Sequence, residues 1–263
     1  MRASVDPAAT QASPLRFFAL VLALSIPFWA LGAMTRLQLL PGLPVTALMG
    51  FCPLVAAAML VYRDRGISGV FALLKRSLDC ERISAKGWFL PIILLMPALT
   101  SLSIVCLHFN GMPLPSLQFP VQTGVAIFVA FFIGALGEEL GWSGYITDPM
   151  ERRWGALGAS LLLGAVWAAW HVVPYMQAHR PVAWMGWYAL STVATRVVMV
   201  WIFNNTGKSV FGAAVFHAML NLCWLLFPEE YLDPRLMGLA MSGVATCVVI
   251  VWGPQTLSKN RFA

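Results

Sequence analysis

Charged residues are scarce in this chain. Only 11% of its 263 residues are Asp, Glu, Lys or Arg, while 59% are hydrophobic, and a soluble domain usually carries about 25% charged residues. None of these four charged types occurs in 37–62, 87–137 or 236–258. A helix crosses a bilayer with roughly 20 apolar residues. The shortage of charge therefore excludes a soluble globular fold and predicts an integral membrane protein.

Signatures of several other protein classes are also missing. The chain has no Cys-x-x-Cys pair, which predicts neither a disulfide framework nor a cysteine metal site. The net charge of +6 comes from basic residues that lie between apolar blocks and form no nucleic-acid motif. That placement excludes nucleic acid as a partner and is typical of the cytoplasmic loops of a membrane protein.

The apolar blocks predict an all-α, polytopic bundle of about eight transmembrane helices, with Pro and Gly at many of the joints. We expect one transmembrane helical domain over 15–255, a disordered tail over 1–14 and a cytoplasmic tail over 256–263. The first block has no small-residue cleavage signature, so we interpret it as a retained helix. The predicted spans are 17–35, 44–62, 88–108, 123–143, 158–176, 184–203, 209–227 and 237–254.

Six polar residues lie inside the predicted spans, where ionisable groups are costly and usually mark a functional or paired site. They are Glu138, Glu139, His171, Arg196, His217 and Asn221. Adjacent glutamates on a helix point about 100° apart, so they can face different neighbours. Any one of these residues could be a simple interhelical hydrogen-bonding group. Together, Glu and His can activate a water while Asn donates to an oxyanion.

At these positions the sequence resembles the CPBP family of intramembrane proteases, which includes type II CAAX prenyl endopeptidases and bacterial proteins linked to bacteriocin immunity. The family pattern is Glu-Glu-x-x-x-Arg, an aromatic residue four before a His, and His-x-x-x-Asn or Asp. This sequence has Glu138-Glu139, Trp167 with His171, and His217 with Asn221. The similarity covers about residues 123–227 and implies a protease core there.

The resemblance implies an intramembrane endopeptidase of the inner cell membrane that hydrolyses a peptide bond near the cytoplasmic face. Glu138 would be the general base, His171 would hold the water, and His217 with Asn221 would stabilise the oxyanion. Glu139 belongs to the same catalytic set. The substrate would be a peptide or lipidated protein, and membrane lipid would be the other partner.

A zinc site is an alternative that stays open. Glu138, His171 and His217 would form a His₂Glu set with an open position for water, as the family's description as metalloproteases suggests. The sequence contains no HExxH motif. We therefore favour the mechanism without a metal.

The sequence departs from the family pattern at Ser143, which occupies the position of the arginine. Arg196 lies in the sixth predicted span, where a buried guanidinium needs a partner. We expect it to pair with Glu139 and to replace the missing arginine from another helix. The competing interpretation is that Arg196 extends to the lipid headgroups.

Two other functions remain open from the sequence. A non-catalytic membrane scaffold with the same fold is compatible with the loss of the arginine at Ser143. A proton-coupled transporter could use intramembrane Glu, His and Arg as a relay. A relay should cross the whole bilayer, whereas these polar residues gather on the cytoplasmic side.

The distribution of basic residues predicts the topology. With a cytoplasmic N-terminus, thirteen basic residues fall inside and three outside. The basic, amphipathic loop over 63–86 should lie along the cytoplasmic membrane surface. Reporter fusions after Lys86 and after Ala263 should both give cytoplasmic signals. A periplasmic signal from either fusion would contradict this topology.

Overall fold

The computed structural model describes residues 12–35, 37–40, 43–116 and 121–258. Most of the predicted tails, 1–11 and 259–263, lie outside these ranges. The described residues form an all-α bundle, which confirms the predicted fold class. Its eight long helices are α1 Pro14–Met34, α2 Cys52–Lys75, α3 Phe89–Phe109, α4 Val121–Gly141, α5 Thr147–Gln177, α6 Val182–Asn205, α7 Val210–Leu226 and α8 Pro234–Trp252.

The helices have the length and composition of a multi-pass membrane protein. Among the described residues, α7 is apolar but shorter than the other spans. Helix α6 is the central helix of the bundle. In its 18-residue apolar segment 67% of the residues are buried, compared with 17% in that of α1. Six continuous stretches are long and apolar enough to cross a bilayer: Pro14–Met34, Val45–Leu78, Lys86–Phe109, Gln122–Gln177, Val182–Asn205 and Pro234–Trp252.

The second span differs from the prediction at both ends. The chain forms a short antiparallel hairpin, β1 Gln38–Leu40 with β2 Leu43–Pro44, and then a 3₁₀ segment, Val45–Phe51, before α2 begins. At the other end α2 continues past the predicted boundary at 62. It breaks at Gly66, whose φ of 64° is a conformation that glycine adopts without steric cost.

The part of α2 beyond Gly66 is amphipathic. Its exposed apolar side chains Ile67, Phe71 and Leu74 recur at intervals of four and three residues, which places them on one helix face. The exposed Leu78 continues the stripe in the 3₁₀ turn that follows α2. Leu73, on another face, is buried against the bundle. This stripe supports the expectation that the segment lies on the membrane surface.

The predicted spans 123–143 and 158–176 imply a simple loop between α4 and α5, and the structure differs from this prediction. They are joined by a turn of π-helix, Trp142–Ile146, and α5 breaks at Gly155, where φ is 69°. A π-turn inserts extra backbone into a helix and often lies at a functional site. Here it begins one turn after the two glutamates.

Close backbone contacts fix α4 against the start of α2. A Cβ atom added to Gly141 would lie 2.5 Å from the carbonyl oxygen of Pro53, and one added to Gly137 would lie 3.0 Å from the carbonyl oxygen of Gly50. Glycine is required at this crossing because any side chain would push the helices apart. The segment of α4 that carries Glu138 therefore has a defined depth and rotation.

Residues that follow α2 hold the π-turn and the start of α7 by hydrogen bonds. Arg76 donates to the carbonyl oxygens of Gly144, in the π-turn, and Lys208, before α7. The Asp79 carboxylate accepts hydrogen bonds from the Val210 and Phe211 amides. Amides in the first turn of a helix have no partner within the helix itself. The Asp79 carboxylate binds them and so stabilises the start of α7.

The packing at Gly141 leads to a stability prediction. Gly141→Ala should lower the free energy of unfolding by about 1–3 kcal/mol, because the new methyl group overpacks the Pro53 backbone. Gly134→Ala, on the same helix, is the control, since no atom lies within 4 Å of its added Cβ. Thermal unfolding in detergent measures both. Equal melting temperatures for the two variants would show that the crossing tolerates a side chain.

Candidate active site

Glu139 lies at the centre of a fully buried polar network. Arg196 Nη1 donates to its Oε2 at 2.9 Å, and Arg196 Nη2 donates to its Oε1 at 3.2 Å. The Ser143 hydroxyl also donates to Oε2, and His217 Nδ1 lies 3.1 Å from Oε1. Glu139 and Arg196 are both 0% exposed. The carboxylate therefore joins α4 to α6 and α7, and each of its oxygens has two hydrogen-bond partners.

The neighbouring Glu138 has a different environment. Its Oε2 accepts hydrogen bonds from two indole N–H groups, Trp167 Nε1 at 2.8 Å and Trp142 Nε1 at 3.3 Å. Its Oε1 faces Gly50 of the 3₁₀ segment, where an added Cβ would still be 3.6 Å away. The two indoles thus hold one oxygen, and the missing side chain at Gly50 leaves space beside the other.

His171 lies one turn after Trp167 on α5. Its Nδ1 is 2.9 Å from the Trp167 carbonyl oxygen. A carbonyl oxygen only accepts, so Nδ1 carries the hydrogen and Nε2 presents a lone pair. The ring contacts Trp170 edge-on, with centroids 4.9 Å apart, and stacks on Tyr175 at 5.9 Å. His171 is half-buried, so this lone pair lies near the accessible side of the site.

His217 and Asn221 occupy one face of α7. An ionised carboxylate only accepts, so the contact with Glu139 places a hydrogen on His217 Nδ1. Nε2 is the remaining nitrogen of this buried ring. Asn221 lies one turn further and is half-buried, and within the described residues its amide makes no hydrogen bond. An amide that is accessible and unengaged can bind a polar group of another molecule.

Trp167 connects these residues. Its indole N–H binds Glu138, and its ring contacts His171 and His217 edge-on, with centroid distances of 5.7 and 5.2 Å. The Arg196 guanidinium carbon lies 4.4 Å from the centre of the same ring. The structure therefore brings together the predicted glutamates, histidines and arginine from α4, α5, α6 and α7. Asn221 lies one helical turn from His217.

The same arrangement does not provide a three-ligand metal site. Among the residues that the structure describes, no three His, Cys, Asp or Glu side chains form a group that could hold a metal ion. The predicted set Glu138, His171 and His217 therefore does not form a three-ligand group in this structure.

Several residues of the site were missed from the sequence. Trp142 follows Glu138 by four residues, a spacing that would have suggested a contact on one helix face. In the sequence Ser143 marks only the missing arginine, whereas in the structure its hydroxyl donates to Glu139. Gly50 lies far from the motifs and belongs to a predicted regular helix. No sequence signal indicates that it faces Glu138.

Comparison with known proteins identifies the class. Residues 120–223 match the family described as type II CAAX prenyl endopeptidase, Rce1-like. CAAX prenyl protease 2 of Methanococcus maripaludis is 26% identical over 200 residues, which cover 71% of this chain and 70% of that protein. Lysostaphin resistance protein A of Staphylococcus haemolyticus is 23% identical over 201 residues, which cover 75% of this chain and 53% of that protein.

The family match, residues 120–223, covers the helices that form the site. The chain is a multi-pass membrane protease, and these similarities support a protease of the CPBP type, as the motif resemblance predicts. The finding favours a hydrolase over the scaffold and transporter alternatives. It does not assign roles to individual residues.

The hydrogen bond from Trp167 to Glu138 can be tested directly. Trp167→Phe keeps an aromatic ring but leaves a buried carboxylate oxygen without its shorter donor, which should cost about 1–3 kcal/mol of unfolding free energy. Trp201→Phe is the control, because its buried indole nitrogen has no hydrogen-bond partner in the described part of the chain. Melting temperatures in detergent compare the two. A larger loss for Trp201→Phe would contradict the assigned role of the Trp167 indole.

Proposed function

We propose that this protease hydrolyses a peptide bond near the cytoplasmic face of the cell membrane, using a water activated by Glu138. The observation that supports this proposal most strongly is the asymmetry of the Glu138 carboxylate. One oxygen is fixed by Trp167 and Trp142, while the other faces the space beside Gly50. A general base needs this combination of a fixed orientation and an oxygen that a water can approach.

The water lies between Glu138 and His171 in this mechanism. Glu138 Oε1 removes one proton as the water oxygen attacks the peptide carbonyl carbon. The lone pair on His171 Nε2 accepts a hydrogen bond from the other O–H of the water and orients it, because His171 Nδ1 donates to the Trp167 carbonyl oxygen. Glu138 then donates the proton to the leaving amine, so no proton is lost or gained over the cycle.

His217 and Asn221 stabilise the oxyanion. The Asn221 amide donates to the negative oxygen that develops from the carbonyl. His217 donates from Nε2 as an imidazolium, since its Nδ1 hydrogen is already directed to Glu139. The Glu139 carboxylate favours that positive charge, just as a carboxylate orients and stabilises a catalytic histidine in other hydrolases.

The depth of the site supports a substrate that approaches from the cytoplasmic side. Glu138 lies three residues from the end of α4, and His217 lies seven from the start of α7. At 1.5 Å per residue these depths are about 5 and 10 Å. With the topology given by the basic residues, both helix ends are cytoplasmic. We therefore propose a peptide or lipidated protein substrate held at the inner cell membrane.

Two substitutions test the mechanism. Glu138→Gln and His171→Ala should each reduce cleavage by about 10²–10⁴-fold, the usual cost of losing acid–base catalysis, while both variants remain folded. Purified protein in lipid vesicles would be incubated with a peptide library that includes prenylated members, with and without a chelator. Cleavage should persist in the chelator.

Exposed residues of the same types provide matched controls. Glu81→Gln and His108→Ala lie outside the site on exposed positions and should cleave at the wild-type rate. Full activity in both Glu138→Gln and His171→Ala would contradict the proposed mechanism. Loss of cleavage in the chelator would instead support a metal-dependent reaction.

A further inference from the structure

We infer that Arg196 is a positioning residue for the proposed catalytic groups and takes over, from α6, the place of the arginine that the family motif has at Ser143. This inference rests on the proposed function for its catalytic part. Arg196 itself is fully buried, and its contacts in the site are with Glu139 and Trp167. It therefore acts on the chemistry through these two residues.

The contact of Arg196 with Glu139 fixes the orientation of the His217 ring. The guanidinium fork of Arg196 binds both oxygens of Glu139, which fixes the plane of the carboxylate. Oε1 of the same carboxylate contacts His217 Nδ1. Without Arg196, Ser143 would be the other remaining donor to Glu139, and its hydroxyl reaches only Oε2. The orientation of the His217 ring then loses its support.

The contact of Arg196 with Trp167 supports the hydrogen bond that holds Glu138. The guanidinium carbon of Arg196 lies 4.4 Å from the centre of the Trp167 ring, within the range of a cation–π interaction. The N–H of that ring is the shorter donor to Glu138. One side chain on α6 thus supports both the proposed base and the proposed oxyanion donor, which lie on different helices.

The close packing of α5 on α6 allows the Arg196 side chain to contact both Glu139 and Trp167. A Cβ atom added to Gly164 would lie 2.9 Å from the Val193 Cα atom and 3.2 Å from the Arg196 Cβ atom. The absence of a side chain at Gly164 therefore lets α6 approach α5 closely at the level of Arg196. The position of the guanidinium depends on this helix crossing as well as on its own hydrogen bonds.

The test compares four variants in lipid vesicles: Arg196→Gln, Arg196→Lys, Arg196→Gln with Ser143→Arg, and Thr195→Val as the control. Thr195 is the buried neighbour of Arg196 on α6, and its hydroxyl has no hydrogen-bond partner among the described residues. Arg196→Gln should lower kcat by about 100-fold with little change in KM, because small displacements of catalytic groups cost this much. Ser143→Arg should restore part of kcat, and Thr195→Val should leave kcat unchanged.

If Arg196→Gln fails to fold, kcat is measured on Arg196→Lys instead. Lysine keeps the charge but lacks the planar fork, so this variant should fold and still show a reduced kcat. Wild-type kcat in a folded Arg196→Gln or Arg196→Lys protein would overturn the inference. A loss of kcat that Ser143→Arg does not restore at all would overturn the claim that Arg196 replaces the motif arginine.

A readout without activity separates this inference from the proposed function. Melting temperatures of Arg196→Gln, Glu139→Gln and the double variant form a mutant cycle. The double variant should lose clearly less than the two single losses added together, because each single change strands a buried partner. Simple additivity would overturn the inference even if the wild-type protein cleaves peptides. A wild-type protein that cleaves no peptide would count against the proposed function, while the cycle would still decide the pairing.

Discussion

The buried ion pair between Glu139 and Arg196 is the interaction on which the rest of the site depends. A charge inside a bilayer is expensive unless a partner and further hydrogen bonds satisfy it. Here the carboxylate has contacts with Arg196, Ser143 and His217, and these residues come from three helices. Rotation or sliding of α6 or α7 would separate the charges. The requirement to keep them together therefore fixes the relative positions of these helices.

This constraint explains how two adjacent glutamates acquire different tasks. Successive residues of a helix point about 100° apart, so Glu139 faces α6 and α7 while Glu138 faces α5 and the 3₁₀ segment before α2. Glu139 is enclosed and fully satisfied, whereas Glu138 keeps one oxygen beside Gly50. The first carboxylate connects the helices of the bundle, and the second keeps the oxygen that we propose as the general base. Exchanging their environments would require α4 to rotate away from the close contact at Gly141.

Hydrogen bonds at one edge of the bundle reinforce the same arrangement. Arg76 and Asp79, which follow the surface segment of α2, bind the π-turn and the start of α7. The π-turn begins one turn after the glutamates, and α7 carries His217. These hydrogen bonds thus hold the ends of the helices whose buried residues form the site. The chain that follows the amphipathic segment of α2 is therefore part of the scaffold of the site.

The sequence by itself determined the membrane class, the all-α fold and the positions of the intramembrane polar residues, because these follow from scarce charge and regular helical spacing. The protease class was indicated by the resemblance of the motifs to a known family. The loss of the motif arginine at Ser143 also indicated Arg196 as a partner for Glu139, since a buried charge needs a counter-charge. The 3₁₀ segment, the π-turn, the two indole donors and the role of Gly50 were decided only by the tertiary structure. They depend on how closely α2, α4, α5 and α6 approach one another. Those distances are set by backbone contacts at glycines, which periodicity within one helix does not reveal.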